Sequence, residues 1–398
     1  MPLRIRRSLA AVLTLGCVAV APPPSADGAD RGTLLKAERV ARLSRGQTAA
    51  HVKAVTLPDA RVRYGVDAHR LTYGTIDAAG APTTATGFVL MPRNNARRLR
   101  TVSYAHGTMA RRTDAPSRSL DGLAGAAALL FGGAGYATVA PDYLGLGYGP
   151  GSHPYMHLAT EGSASLDLLR AAHTFAQQRH RLLDTGALVT GFSQGAVAAM
   201  ALGRLLQDGA EPHLRLRALA PMSGPYDVEH AELPAMLAGR LDPIASNYYI
   251  SYVLHAWQPI YHVFDAPSDV WKREWDVRVP KLFDGRHDDE AIFKALPHRL
   301  SQLFTPTFRA RLAQPDGGLL AAMRANDVAC NWAPMAPIRV YGARGDDQVA
   351  FANAESCVAD LRVHGVDARL HDLGKLDHFG SMLAATPRVL AWFAHLTR

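Results

Sequence analysis

Cysteine is scarce in this chain: Cys17, Cys330 and Cys357 are the only three in 398 residues. No C-x-x-C, no H-E-x-x-H and no other spacing that marks zinc is present, so neither a metal nor a cofactor is expected. Lysine is also scarce. The net charge is +8, yet six of the 43 basic residues are Lys and the rest are Arg spread along the chain. Pairs occur at 97–98 and 111–112, but no run of five. A nucleic-acid binder gathers its cations into a stripe or cluster. No nucleic-acid partner is therefore expected, and the basicity reads as a solubility feature. Long apolar runs are missing too. The uncharged stretch from 9 to 21 would reach about 20 Å as a helix, short of the ~30 Å of a bilayer core. No other run is long enough, so the mature chain is expected to carry no transmembrane segment.

What that stretch does fit is an export signal. Arg4, Arg6 and Arg7 precede it, and Ala19-Val20-Ala21 offers an A-x-A cleavage site. Pro22 is a poor first residue, so cleavage near Ala26 or Ala29 is the alternative, and residues 1–29 are taken as the signal. Cys17 suggests a lipoprotein site, but Thr14 stands where Leu is usual. The location expected is secreted or periplasmic. In an oxidising compartment Cys330 and Cys357 could bridge; two buried free thiols are the alternative.

The full chain is 48% hydrophobic and 20% charged, which excludes a disordered, collagenous or coiled-coil chain. Residues 29–54 read as irregular helix. Short β-rich runs follow at 66–76, 86–91, 101–105, 136–140, 188–190, 218–222, 338–341 and 368–373. Helical patterns lie at 162–178, 195–207, 353–363 and 386–396. Strands alternating with helices imply an α/β fold: a mostly parallel sheet of about eight strands with helices on both faces. In such sheets ligands bind beyond the carboxyl ends of the strands.

The strongest motif stands at that edge. Gly191-Phe192-Ser193-Gln194-Gly195 is G-x-S-x-G, preceded by an apolar run and followed by a helical one. That strand–turn–helix context is what a nucleophile elbow requires. Ser193 would sit in a strained turn with its hydroxyl projecting, and two glycines would let strand and helix approach. A serine hydroxyl needs a base and an orienting acid. The acid should follow the seventh strand, where Asp346 and Asp347 compete. Asp346 is preferred because Val349, three residues on, can anchor the loop beneath it. The base should follow the eighth strand. His378, just before the last helix, is preferred over His371, which lies within the strand. Two backbone N–H groups must also face the developing oxyanion. Gln194, after the nucleophile, and Thr108, after the third strand, are the candidates. His106 is read as ordering that loop.

These segments resemble the α/β-hydrolase superfamily, and more closely secreted bacterial esterases and lipases of the fungal secretory-lipase (lipase A-like) group. The resemblance rests on SYAHGT at 103–108, APDYLGLG at 140–147 with His153-Pro154-Tyr155 after it, GFSQG, and the Asp346 and His378 loops. It implies the α/β-hydrolase fold, Ser193, Asp346 and His378 as nucleophile, acid and base, and Thr108 and Gln194 as oxyanion donors. The group commonly has Gly or another small residue after the nucleophile, so the side chain of Gln194 is a departure.

Between Ser193 and Asp346 the chain is longer than a bare hydrolase core needs. Residues 225–331 are expected to form a helical cap inserted after the sixth strand, flanked by core segments 30–224 and 332–398. Composition shifts there: 225–308 holds 13 of the 30 aromatic residues. Most should form the cap's own core and some a substrate pocket. The function expected is hydrolysis of carboxylic esters, small-molecule or lipid, or of an acylated cell-wall polysaccharide. A secreted serine peptidase and a non-catalytic polysaccharide-binding protein are the alternatives.

Overall fold

The computed structural model describes residues 31–397. The expected signal over 1–29, with Cys17, lies outside the described residues. Among the described residues nine strands form one sheet: β1 (Leu34–Leu43), β2 (Val66–Ile76), β3 (Pro82–Pro92), β4 (Arg98–Ala105), β5 (Ala137–Pro141), β6 (Leu182–Phe192), β7 (Arg215–Met222), β8 (Arg339–Gly342) and β9 (Arg369–Asp372). Their order is β1-β2-β3-β5-β4-β6-β7-β8-β9. The first four pair antiparallel as neighbours, and every pairing from β5 to β9 is parallel. The α/β class and the mostly parallel sheet are thus as expected from the sequence.

Side chains alternate across this sheet with period two. On β2 and β3, Leu71, Tyr73, Val89 and Met91 enter one apolar cluster, and Ala68, Phe88 and Leu90 the other. The second cluster is closed by α1 (Arg45–Ala54), α2 (Gly122–Ala134) and, at the chain's end, residues of the last helix such as Met382, Val389 and Phe393. The first is closed by α3 (Leu158–Gln178) and α4 (Gln194–Gln207), with Leu166, Leu169, Val197 and Met200. Burial on both faces explains why β5, and β7 from Ala218 on, read as nearly unbroken apolar runs.

Between β7 and β8 the chain forms a π-turn at Val228–Glu232 and eight helices. They are α5 (Leu233–Leu237), α6 (Pro243–Tyr261), α7 (Pro267–Val270), α8 (Trp275–Leu282), α9 (Asp289–Ala295), α10 (Leu300–Leu303), α11 (Pro306–Ala313) and α12 (Gly317–Asn326). Tyr248, Tyr252, Trp257, Trp271 and Phe304 are all nearly fully buried, so this aromatic-rich segment spends most of its rings on its own packing. The last two helices are α13 (Ala352–Val363) and α14 (His378–Leu396). No helix among the described residues is long and apolar enough to cross a membrane.

Two expectations are corrected. Residues 34–43 form an edge strand, not helix. Its charges at 36, 38, 39 and 42 suit a solvent-facing edge, and Glu38 pairs with Arg70 of β2 at 2.9 Å. Helix begins only after Ser44, whose hydroxyl accepts the Gln47 N–H while the Gln47 side chain accepts the Ser44 N–H. The glycine- and alanine-rich run 122–134, to which the sequence assigned no element, is a buried helix. The terminal helix starts at 378 instead of 386, with Asp377 capping it and Pro387 inside it.

Cys330 and Cys357 are bonded, joining the end of the inserted segment to α13 across 27 residues. On the loop-entropy estimate that bond contributes about 3–4 kcal/mol.

Candidate active site

The sharpest local feature is at the end of β6. Ser193 adopts φ 56° and ψ −123°, a left-handed turn that β-branched or bulky residues avoid. Strand stops at Phe192 and helix starts at Gln194, so one residue makes the reversal. Glycine is required on both sides: a Cβ at 191 would overlap the carbonyl of Gly195, and one at 195 the carbonyl of Ala105. The Ser193 hydroxyl is thereby held above the sheet's carboxyl edge at the amino end of α4, where the helix dipole is positive.

Two other strand ends deliver the partners. His378 opens α14, and its Nε2 lies 3.0 Å from Ser193 Oγ. Its Nδ1 lies 2.8 and 3.0 Å from the two carboxylate oxygens of Asp346, on the loop after β8. All three side chains are buried. An imidazole bonded to a carboxylate through Nδ1 carries its proton there, which leaves Nε2 to accept the serine O–H. Asp346 Oδ1 also accepts the N–H groups of Gln348 and Val349, so the carboxylate is fixed by its own turn. Asp347 is exposed and does not reach the ring; its Oδ1 accepts the backbone N–H of His378 at 3.3 Å. His371 is stacked on Tyr341, away from Ser193's partners.

The two oxyanion candidates lie beside the hydroxyl. Gln194 is the first residue of α4, so its N–H has no acceptor within the helix. Thr108 lines the same cavity as Ser193 and His378, next to Gly107, whose built Cβ would stand 3.4 Å from Ser193 Cβ. His106 is fully buried, with Nδ1 at 2.6 Å from the Gly107 carbonyl oxygen and its own carbonyl accepting the Tyr143 hydroxyl. It faces the loop, and burial holds its pKa low.

Two buried carboxyls beside the site escaped the sequence reading. Glu161 of α3 accepts the Gln194 side-chain N–H at 2.7 Å, and burial pushes its pKa up to about 8. Glu232, at the end of the π-turn, accepts from the Ala350 N–H at 2.9 Å and the Asn353 amide at 2.6 Å. Burial raises it to about 8 as well, and it ties the loop after Asp346 to the inserted segment. A single acidic letter in an amphipathic pattern carries no signal of such a role.

Two cavities meet at Ser193. One, of about 480 Å³, is open and mixed in character, lined by Arg111, Asp114, Ser119 and Gln348 together with Tyr248 and Phe293. The other, of about 70 Å³, is nearly all apolar, lined by Leu233, Met236, Ile250, Val253, Leu319 and Met323. The inserted segment supplies most of the second lining. A buried serine, imidazole and carboxylate in series, with backbone donors alongside and a choice of polar and apolar space, is equipped for acyl transfer.

Neither a protein-family model nor a curated protein matches the chain. Solved structures do. A Legionella pneumophila protein assigned as a hydrolase superposes with a TM-score of 0.84 at 26% identity, over 92% of this chain and 98% of that one. The rice cell wall degrading esterase LipA from Xanthomonas oryzae superposes at 0.81 and 27% identity, over the same shares. Candida antarctica lipase A in its closed state superposes at 0.70 over 92% of this chain and 82% of that one; at 16% identity the likeness is one of fold.

Proposed function

We propose that this chain, an α/β-hydrolase related to the lipase A-like enzymes, hydrolyses carboxylic esters through a serine acyl-enzyme. One observation carries the reading: the His378 imidazole spans the Ser193 hydroxyl at 3.0 Å and the Asp346 carboxylate at 2.8 Å, all three buried at the sheet's edge. In this reading Ser193 Oγ attacks the ester carbonyl as His378 Nε2 takes its proton. Asp346 keeps the Nδ1 proton in place and stabilises the imidazolium. The N–H groups of Gln194 and Thr108 receive the oxyanion. His378 returns the proton to the departing alcohol, then activates the water that frees the acid.

Residues 225–331 serve as a cap over this site. The small apolar cavity takes the acyl chain and the larger, mixed one the alcohol. The esterase from Xanthomonas is named for degrading rice cell wall. Residues 1–29 act as an export signal, and an acylated wall polymer falls within the substrates this reading admits.

A peptidase would offer a free acid to a substrate amine. Of the three acids that line the larger cavity, Asp114 pairs with Arg111 at 2.7 Å, Asp289 Oδ1 accepts the Tyr248 hydroxyl and the Ala110 N–H, and only Asp121, at the exposed rim 3.4 Å from His51, is open to solvent. The test is a comparison of p-nitrophenyl acetate, butyrate and palmitate with aminoacyl p-nitroanilides. The expected result is turnover of acetate and butyrate, palmitate slower by at least tenfold, and no measurable release from the anilides. Faster anilide cleavage than ester cleavage rejects the reading.

A further inference from the structure

The segment between β5 and α3 contains the His153-Pro154-Tyr155 string, and the reaction as described gives it no task. Its side chains converge on the two oxyanion candidates. Tyr155 Oη lies 2.9 Å from the Thr108 hydroxyl. His153 Nδ1 donates to the Leu144 carbonyl at 2.9 Å, so its Nε2 carries the lone pair and accepts from Gln194 Nε2 at 2.8 Å. The other Gln194 amide hydrogen goes to Glu161 Oε1 at 2.7 Å, and the same oxygen accepts the Met156 N–H at 3.1 Å. Gln194 is 0% exposed and Glu161 1%. The ring of His153 is held in turn by stacking on Tyr143, and Tyr155 is stacked on Tyr252 of the inserted segment.

We propose that residues 153–161 form a clamp that aims both oxyanion donors, with His153 and Glu161 gripping the Gln194 side chain and Tyr155 gripping Thr108. The proposal rests on the acyl-enzyme reading of the site. The need for a clamp is physical. Ser193 is in a strained conformation, and such a residue persists only where its surroundings over-determine it. Gly195, the next helical residue, has no side chain to brace the turn. Among the first two residues of α4, only Gln194 can anchor the peptide that carries the donor N–H. A buried amide with both hydrogens committed fixes that peptide's rotation. Burial raises Glu161 to about 8, toward its neutral form. Glu161, His153 and Tyr155 are positioning residues in this account; none touches the reacting atoms.

The test separates aim from presence. Gln194→Leu leaves the backbone N–H in place and removes only the side-chain grip. Loss of a whole oxyanion donor costs about 10²–10³ in kcat, so a misaimed one is expected to cost roughly ten- to a hundredfold. KM should stay within about twofold, because the oxyanion exists only beyond the ground state. Affinity for an alkyl boronic acid, which forms a tetrahedral adduct on serine, should fall in parallel. Glu161→Leu is expected to match it. The double variant should lose little more, since the two act on one bond network. Glu161→Gln keeps an acceptor for the Gln194 N–H and should recover most of what Glu161→Leu loses. Tyr155→Phe removes one hydroxyl only and should lower kcat and boronate affinity together by roughly three- to tenfold. That variant answers the question even if the leucine variants do not fold. The proposal is overturned if Tyr155→Phe leaves kcat and boronate affinity at the wild-type level, or if folded Gln194→Leu does so. A fluorophosphonate that fails to label the wild-type serine would instead reject the acyl-enzyme reading beneath it.

Discussion

Ser193→Ala is expected to lower kcat for p-nitrophenyl butyrate by about 10⁴- to 10⁶-fold while leaving the thermal midpoint close to that of the wild type. The size follows from serine triads acting as units: without the nucleophile, only binding and oxyanion donors still assist water. The stability half follows from the structure. The hydroxyl's partner is His378, which keeps its bonds to Asp346 in the variant, and alanine meets the same positive φ as serine. Stopped spectrophotometric assays with a circular-dichroism melt check both halves. Activity within tenfold of wild type would mean that another group performs the attack.

The second large effect separates two neighbouring acids. Asp346→Asn is expected to lower kcat by about 10⁴-fold, because an asparagine amide beside Nδ1 drives the imidazole proton to Nε2, where it cannot accept from Ser193. Asp347→Asn should stay within about threefold. Its carboxylate is exposed and serves only the His378 backbone N–H, a bond that asparagine's carbonyl oxygen can keep. Steady-state kinetics of the two variants side by side decides between them. A reversal of their order would move the orienting role to Asp347.

The parts of this site that could be read from the chain are those whose physics is local. An elbow needs glycines on either side of its serine whatever surrounds it, and the string at 191–195 displays that need directly. Asp346 and Val349 likewise signal a turn closed on its own carboxylate. The edge strand at 34–43 was hidden because its charges obey no clear period. Only the pairing with β2, and Arg70 across from Glu38, makes it a strand. The last helix was expected from 386, yet it continues back to the cap at Asp377 and holds Pro387 within it. The clamp was hidden for a related reason. Gln194 lies 41 residues from His153 and 33 from Glu161, and only the packing of α3 against α4 brings the carboxyl and the amide together. The inserted helices gave away their aromatic content but not their paths, since many are short and held by contacts instead of by their own periodicity.

The most direct measurement is the mass of the Ser193 peptide after exposure of the full protein to an alkyl fluorophosphonate. Attack by Ser193 Oγ forms the oxygen–phosphorus bond and expels fluoride, with the serine proton leaving through His378. The account requires one stoichiometric adduct, located on Ser193 and absent from the Ser193→Ala protein. Ester hydrolysis by a protein that takes up no label, or a stoichiometric label on any other residue, would contradict it.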